Sequence, residues 1–279
     1  MSTINIWNHS IPLSWISATD AQYLESLPGD LPTVEWVWNE MDRIWHHYGL
    51  DNRQPLSKQA VSEFYSHSVW LMNGVFTQLD PVSHGHRTSI ARYLKHRGVG
   101  TIADYGGGFG ALASAIKDTI PIVDVVIVEP YPCQAAIERF KEESRIRFVD
   151  NLSNGCYEAV IAQDVLEHVE FPIQLAYQIA DAVRPGGIAI FANCFYPVIQ
   201  CHLPATFHLR HTFRWVMERM GLRYIGVVEG AAHAQIFERN GRLDMNKASS
   251  AERLSRVGGT IINGTRAALS YIKRSVVRQ

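Results

Sequence analysis

The 279-residue sequence predicts an α/β protein with a doubly wound, seven-stranded sheet in residues 99–240, a helical cap in 1–98 and a basic helical tail in 241–279. Three observations carry this expectation. From Thr101 onward, short apolar runs alternate with amphipathic segments, the pattern of βαβ units feeding a parallel sheet. Two broad apolar stripes at helical spacing precede that region. A glycine-rich turn, Gly106 to Gly110, joins the first apolar run to the first amphipathic segment.

The first stripe, in residues 33–50, places Val34, Val37, Trp38, Met41, Ile44, Trp45 and Tyr48 on one helical face. The second, in 59–79, does the same with Val61, Phe64, Tyr65, Val69, Met72, Val75, Phe76 and Leu79. A third helix is expected at 86–97, after Asp80 and Pro81. These aromatic stripes read as core packing. The expected strands are Thr101 to Tyr105, Val123 to Val128, Ile146 to Val149, Glu158 to Ala162, Ile188 to Ala192, Tyr224 to Val228 and Ala234 to Glu238. Helices are expected at Ala111 to Ile120, Gln134 to Glu143, Ile173 to Val183 and Thr212 to Met220.

A hydrophobic content of 47% supports a core without disulfides or a structural metal. The net charge of −1 gives no overall bias toward nucleic acid, but it is unevenly spread. Between Gly241 and Gln279, eight Lys/Arg against Asp244 and Glu252 give +6, which leaves −7 for the remainder. In that tail Ile261, Ile262, Leu269, Ile272 and Val276 fall on one helical face and Arg266, Lys273, Arg274 and Arg278 on another. Such a helix suits packing on its own domain, a weak contact with an anionic membrane surface, or a partner. No basic stripe with interleaved aromatics marks the body, so no nucleic-acid partner is expected. Cys133, Cys156, Cys194 and Cys201 form no CxxC pair, in keeping with a reducing cytoplasm. The first thirty residues lack a signal-peptide pattern, and no apolar run reaches the roughly 18 residues that span a bilayer.

Gly106, Gly108 and Ala111 fit G-x-G-x-x-G/A at the end of a strand, where glycines let the backbone turn sharply and approach a ligand. With Glu129 near the end of the second strand, the pattern serves a nicotinamide or flavin dinucleotide equally well. Asp104 two residues before the first glycine, the segment Asp164-Val165-Leu166-Glu167-His168-Val169 after the fourth strand, and the turn Arg184-Pro185-Gly186-Gly187 narrow the choice. Together, over about residues 100–240, they resemble the class I S-adenosylmethionine (SAM)-dependent methyltransferases of small-molecule type.

That resemblance implies SAM as cofactor. It implies that Asp104 receives the ammonium and the backbone N–H groups of Gly106, Gly107, Gly108 and Gly110 the carboxylate, while Glu129 grips the ribose hydroxyls. It further implies that Asp150 and Asn151 lie near the adenine and that Asp164 borders the cofactor. A carboxylate for the ammonium and N–H groups for the carboxylate are what the charges of SAM require.

After the fifth strand, the Pro-broken segment Asn193 to Phe213 carries His202, His208 and His211 within ten positions. Ligands of open α/β sheets bind beyond the carboxyl ends of the strands, so this segment is the expected pocket for a small-molecule acceptor. A hydroxyl acceptor must lose its proton as it attacks, and histidine suits that work near neutral pH. His208 or His202 is the expected base, with His211 and His168 as further candidates and Tyr196 and Arg210 orienting the acceptor. The alternative role for these histidines is to satisfy loop backbone groups. The set Cys201, His202, His208 and His211 lacks a familiar metal-ligand spacing, and no metal is assigned. The expected reaction is O-methylation of a small molecule or sugar-containing metabolite. The alternatives are N-, C- or macromolecule methylation, a nicotinamide-dependent oxidoreductase and a non-catalytic SAM-binding protein.

Overall fold

The computed structural model describes residues 2–276, with side chains as far as residue 263. Arg278 therefore lies outside the described residues, as do the side chains of Arg266, Leu269, Ile272, Lys273, Arg274 and Val276 in the tail.

The chain opens with a hairpin, β1 (Thr3–Ile6) and β2 (His9–Pro12), which the sequence reading does not anticipate. Its turn holds Trp7 and Asn8 at φ 51° and 66°, and Trp7 is anchored by donating Nε1–H to Pro28 O at 2.9 Å. Five helices follow: α1 (Ala18–Glu25), α2 (Val34–His47), α3 (Lys58–Tyr65), α4 (Ser68–Leu79) and α5 (Pro81–Arg97). Their starts are chemically marked. Ser17 and Asp20 form a capping box on α1, the Thr33 hydroxyl accepts from Trp36 N–H on α2, and the Asp80 carboxylate accepts from Ser83 N–H at 2.7 Å on α5. The expected second stripe is thus two helices, broken where Ser66 and His67 end α3 and cap α4.

The sheet-bearing body runs β3 (Thr101–Tyr105), α6 (Ala111–Thr119), β4 (Asp124–Val128), α7 (Gln134–Phe140), β5 (Ile146–Val149), β6 (Tyr157–Gln163), α8 (Pro172–Ala182) and β7 (Val183–Ala192). It closes with α9 (Phe213–Met220), β8 (Arg223–Val228), β9 (Ala231–Glu238) and the long α10 (Met245–Val276). The seven strands are ordered β5-β4-β3-β6-β7-β9-β8, with β9 antiparallel to both neighbours and the other pairings parallel. The fifth strand of this sheet starts earlier than expected. Tyr157 pairs with Val183 and Ala159 with Ile188, so Arg184-Pro185-Gly186-Gly187 bulges out of an otherwise continuous strand.

Side-chain alternation divides the core. Ile102, Ile161 and Ile190 point to the face covered by α5 and α6, through Ile90, Leu94 and Ile116. Ala103, Val160 and Phe191 point to the other, covered by α8, α9 and α10 through Ile179, Phe213, Met217 and Ala251. The N-terminal helices bury a third cluster around Met41, Trp45, Phe64 and Met72. It extends onto the body through Phe109, Ala136, Ile199 and Cys201. The cap therefore rests on the glycine turn and on the loop after β7. Strand order reverses between β3 and β6, which opens a crevice at their carboxyl ends under that cap.

Candidate functional site

β3 carries Asp104 into the crevice. Its carboxyl is 2% exposed, and Oδ2 has no hydrogen-bond partner among the described residues. Burial, then the neighbouring Glu129 charge, pushes its pKa up to about 7, with Arg87 opposing. The turn that follows is built around this group. A Cβ on Gly107 would lie 2.7 Å from Asp104 Oδ2, and one on Gly106, at φ 71°, would lie 2.5 Å from Val165 Cγ2. A side chain at Gly107 would fill the space beside the acid, and one at Gly106 would collide with Val165. Gly110 caps α6, whose free N-terminal N–H groups face the same turn.

At the end of β4, Glu129 accepts from Gly108 N–H at 2.9 Å and Tyr131 N–H at 3.0 Å, which fixes its carboxylate beside the turn. Burial raises its pKa and these bonds oppose the rise. Val128 pairs with Val149, so Asp150 and Asn151, both exposed, leave β5 next to Glu129. The acids expected to line a nucleoside site thus stand at consecutive strand ends.

Beyond β6, Asp164 sits at φ 54°, unusual for a non-glycine residue, and donates its N–H to Ala192 O at 2.7 Å. This sharp turn leads into a 3-10 turn, Leu166–His168. There Glu167 is fully buried. Its Oε1 accepts from Cys194 N–H at 2.7 Å, while Oε2 has no partner among the described residues. Burial, then the Asp164 charge, pushes its pKa up to about 8. His168 Nδ1 lies 3.0 Å from Cys201 O, and burial followed by the neighbouring His202 drives its pKa down to about 3. His202, from the loop after β7, sets Nδ1 3.0 Å from Tyr196 O and packs edge-on to His168 with ring centres 4.8 Å apart. Burial lowers its pKa, while the Tyr196 contact and the Asp164 charge oppose the shift.

Of the expected histidines, the structure brings His168 and His202 together and carries His208 elsewhere. Residues Pro204–Arg210 wind as a 3-10 turn that packs on α10, where His208 Nε2 is 3.9 Å from Glu252 and burial lowers its pKa to about 4. His211 is exposed at the end of that turn. Tyr196 and Arg210 meet, with the guanidinium 4.7 Å from the ring centre.

Several site groups escape the sequence reading. Arg87, 5% exposed, donates to Thr77 O and faces the charges of Asp104, Asp80 and Asp164. Its signal was an arginine on the same helical stripe as Ile90, Ala91 and Leu94. His233 on β9 stacks obliquely on His86 of α5 at 4.5 Å and feels the Asp164 charge. Its partners lie 147 positions apart in sequence, so no local pattern links them. From the cap, Tyr65 stacks between Trp70 at 5.0 Å and Tyr131 at 5.4 Å, which joins α3 and α4 to the loop beside Glu129. Unpaired buried atoms of Gln163 and Asn193 border the same crevice.

The crevice fits SAM by its own chemistry. A buried acid lacks a partner, the backbone beside it is cleared of Cβ atoms, and a second fixed carboxylate stands one strand away. Buried unpaired carboxylates are costly, so this arrangement calls for a cationic ligand.

Comparison with known proteins agrees. Residues 83–227, just over half the chain, match the family model described as methyltransferase domain. No curated protein matches the sequence. Among solved structures, human N-acetylserotonin methyltransferase in complex with SAM is similar at 18% identity and TM-score 0.48, over 74% of this chain and 66% of that one. The CurJ carbon methyltransferase is similar at 14% identity and TM-score 0.44, over 73% and 71%. Mitomycin 7-O-methyltransferase is similar at 18% identity and TM-score 0.45, over 70% and 66%. With its switch-point crevice, glycine turn and matched domain, the chain belongs to the methyltransferase-domain family and is a class I SAM-dependent methyltransferase.

Proposed function

We propose that the protein methylates an oxygen of a small molecule or sugar-containing metabolite, with a crevice histidine taking the hydroxyl proton. The observation that carries this reading is that the Asp164 carboxylate, at its left-handed turn, acts on a histidine from each of two elements, His202 from the loop after β7 and His233 from β9. Both feel the Asp164 carboxylate, which stabilises an imidazolium formed during transfer. SAM supplies the electrophilic methyl group. Asp104 accepts from its ammonium and Glu129 takes the ribose hydroxyls, with Asp150 and Asn151 at the adenine end. Gly106, Gly108 and Gly110 already donate their N–H groups to Val128 O, Glu129 and Gly107 O, so the carboxylate is met by Gly107 N–H and the first turn of α6 rather than by all four expected glycines. Tyr196 and Arg210 orient the acceptor from the loop after β7. The Tyr65, Trp70 and Tyr131 stack supports the exclusion of water from the nucleoside side.

No helix among the described residues is long and apolar enough to cross a membrane. The four free cysteines support a cytoplasmic placement.

The experiment has two stages: screening metabolites for uptake of labelled methyl from SAM, then single-turnover transfer from pH 5 to 9 with His202→Gln and His233→Gln. Loss of a general base lowers the rate by about 10² to 10⁴ and leaves SAM affinity nearly intact. If both variants keep wild-type rates and pH profiles, the histidine base is wrong. Labelled product carrying an N-methyl or C-methyl group overturns the oxygen assignment.

A further inference from the structure

We propose that Glu167, His168 and His202 bind a divalent transition-metal ion, with zinc the best match, beside the methyl-transfer crevice. One donor atom from each residue lies within 4.8 Å of the other two. The residues come from two segments, the 3-10 turn after β6 and the loop after β7, and the fold itself brings them together. Leu203 N–H donates to Glu167 O at 2.8 Å, which ties one segment to the other at this point.

The hydrogen bonds around the cluster set its chemistry. A backbone carbonyl only accepts, so Nδ1 of His168, 3.0 Å from Cys201 O, carries a proton, as does Nδ1 of His202, 3.0 Å from Tyr196 O. In their neutral forms both rings keep a lone pair on Nε2. Glu167 is fully buried, with Oε1 satisfied by Cys194 N–H and Oε2 without a partner among the described residues. Each of the three residues therefore keeps an acceptor, and one ligating atom from each lies in one small space. A single proton bridges at most two of them, whereas a cation serves all three.

Metal-binding histidines are commonly held in this way, with the far nitrogen donating to a carbonyl so that tautomer and ring direction are fixed. Two imidazoles and one carboxylate suit zinc or ferrous iron better than magnesium or calcium, which favour all-oxygen sets. Bonds of about 2.0–2.2 Å require the donors to draw roughly 1 Å closer on loading. Three protein ligands also leave a position open, and Asp164 adjoins the site. An acceptor oxygen bound there has a hydroxyl proton that is easier to remove. With His202 engaged as a ligand, His233 is left as the histidine that takes this proton. That role rests on the oxygen-methylation reading; the binding of the ion does not.

The test uses tag-free full-length protein, stripped with chelator and dialysed. Zinc binding is measured by calorimetry and elemental analysis, and cobalt(II) is added as a spectroscopic probe. The expected result is one ion per chain with submicromolar affinity and cobalt absorption bands in the visible region. His168→Gln and His202→Gln should each weaken zinc binding at least 100-fold and abolish those bands, while the exposed His96→Gln leaves both unchanged. Circular dichroism and melting temperature identify any variant that fails to fold, and the cobalt spectrum of the wild-type protein does not depend on the variants. Absence of stoichiometric binding by the wild-type protein overturns the proposal, as does binding that survives both substitutions. SAM calorimetry on the same stripped protein separates the two readings: SAM binding without metal binding removes the ion and leaves the methyltransferase intact.

Discussion

Asp104 shows how one residue links function to stability. Its carboxyl titrates near 7 in the folded protein, against an ordinary value of 3.8. The folded state therefore holds a proton that the unfolded state has released, and stability falls as pH rises between about 4 and 7. Three pKa units correspond to a cost on the order of 4 kcal/mol once the acid is ionised. Asp104→Asn should flatten this slope and raise the melting temperature at pH 8, while SAM affinity falls. In the wild-type protein, SAM affinity should rise with pH up to about 7, because the ammonium selects the ionised acid. Melting curves and calorimetry from pH 5 to 8.5 check both. A wild-type slope retained in the Asn variant would mean that Asp104 is not the titrating group. At this scale the sequence was informative where chemistry is local. Asp104, the glycines and Glu129 lie within one strand-turn-strand unit, and their roles follow from spacing. His202 and His208 looked equivalent because both lie in one Pro-broken loop. Only the 3-10 turn Pro204–Arg210, set by packing on α10, separates them.

Among the elements, α4 has the closest relation to the site. Gly74 lies against the glycine turn, and a Cβ there would sit 2.6 Å from Phe109 Cβ. Glycine inside a helix costs about 1 kcal/mol relative to alanine, so on propensity alone Gly74→Ala stabilises. Overpacking costs about 1–3 kcal/mol, and here it is directed at a backbone turn that cannot yield without moving Gly108 and Gly110. The clash should win. Gly74→Ala is expected to lower the melting temperature and weaken SAM binding several-fold; a variant that is more stable and binds normally would show that α4 does not position the turn. The two long stripes were legible as helices because their apolar residues repeat at 3.6-residue spacing. The hairpin before them was not, since strands of four residues with Ile4, Ile6 and Ile11 give too short an alternation to read. α5 was legible only from residue 86, because polar Ser83, His84 and Gly85 hide a first turn that Asp80 and Pro81 nonetheless start.

In the whole molecule, the sheet, the glycine turn and the cap converge on one crevice, and the alternating pattern from Thr101 to Glu238 made that architecture readable in advance. What the pattern could not supply was the pairing of distant segments: His86 with His233, Tyr65 with Tyr131, and Glu167 with His202. The central claim is that this crevice takes SAM rather than a nicotinamide nucleotide. Calorimetry with SAM, its demethylated product and NADH, on wild-type protein and Glu129→Ala, tests it most directly. The expected result is micromolar binding of SAM and its product, no binding of NADH, and a loss of about 1–3 kcal/mol in the variant as a charge-assisted hydrogen-bond acceptor is removed. Tight binding of NADH with none of SAM would contradict the assignment.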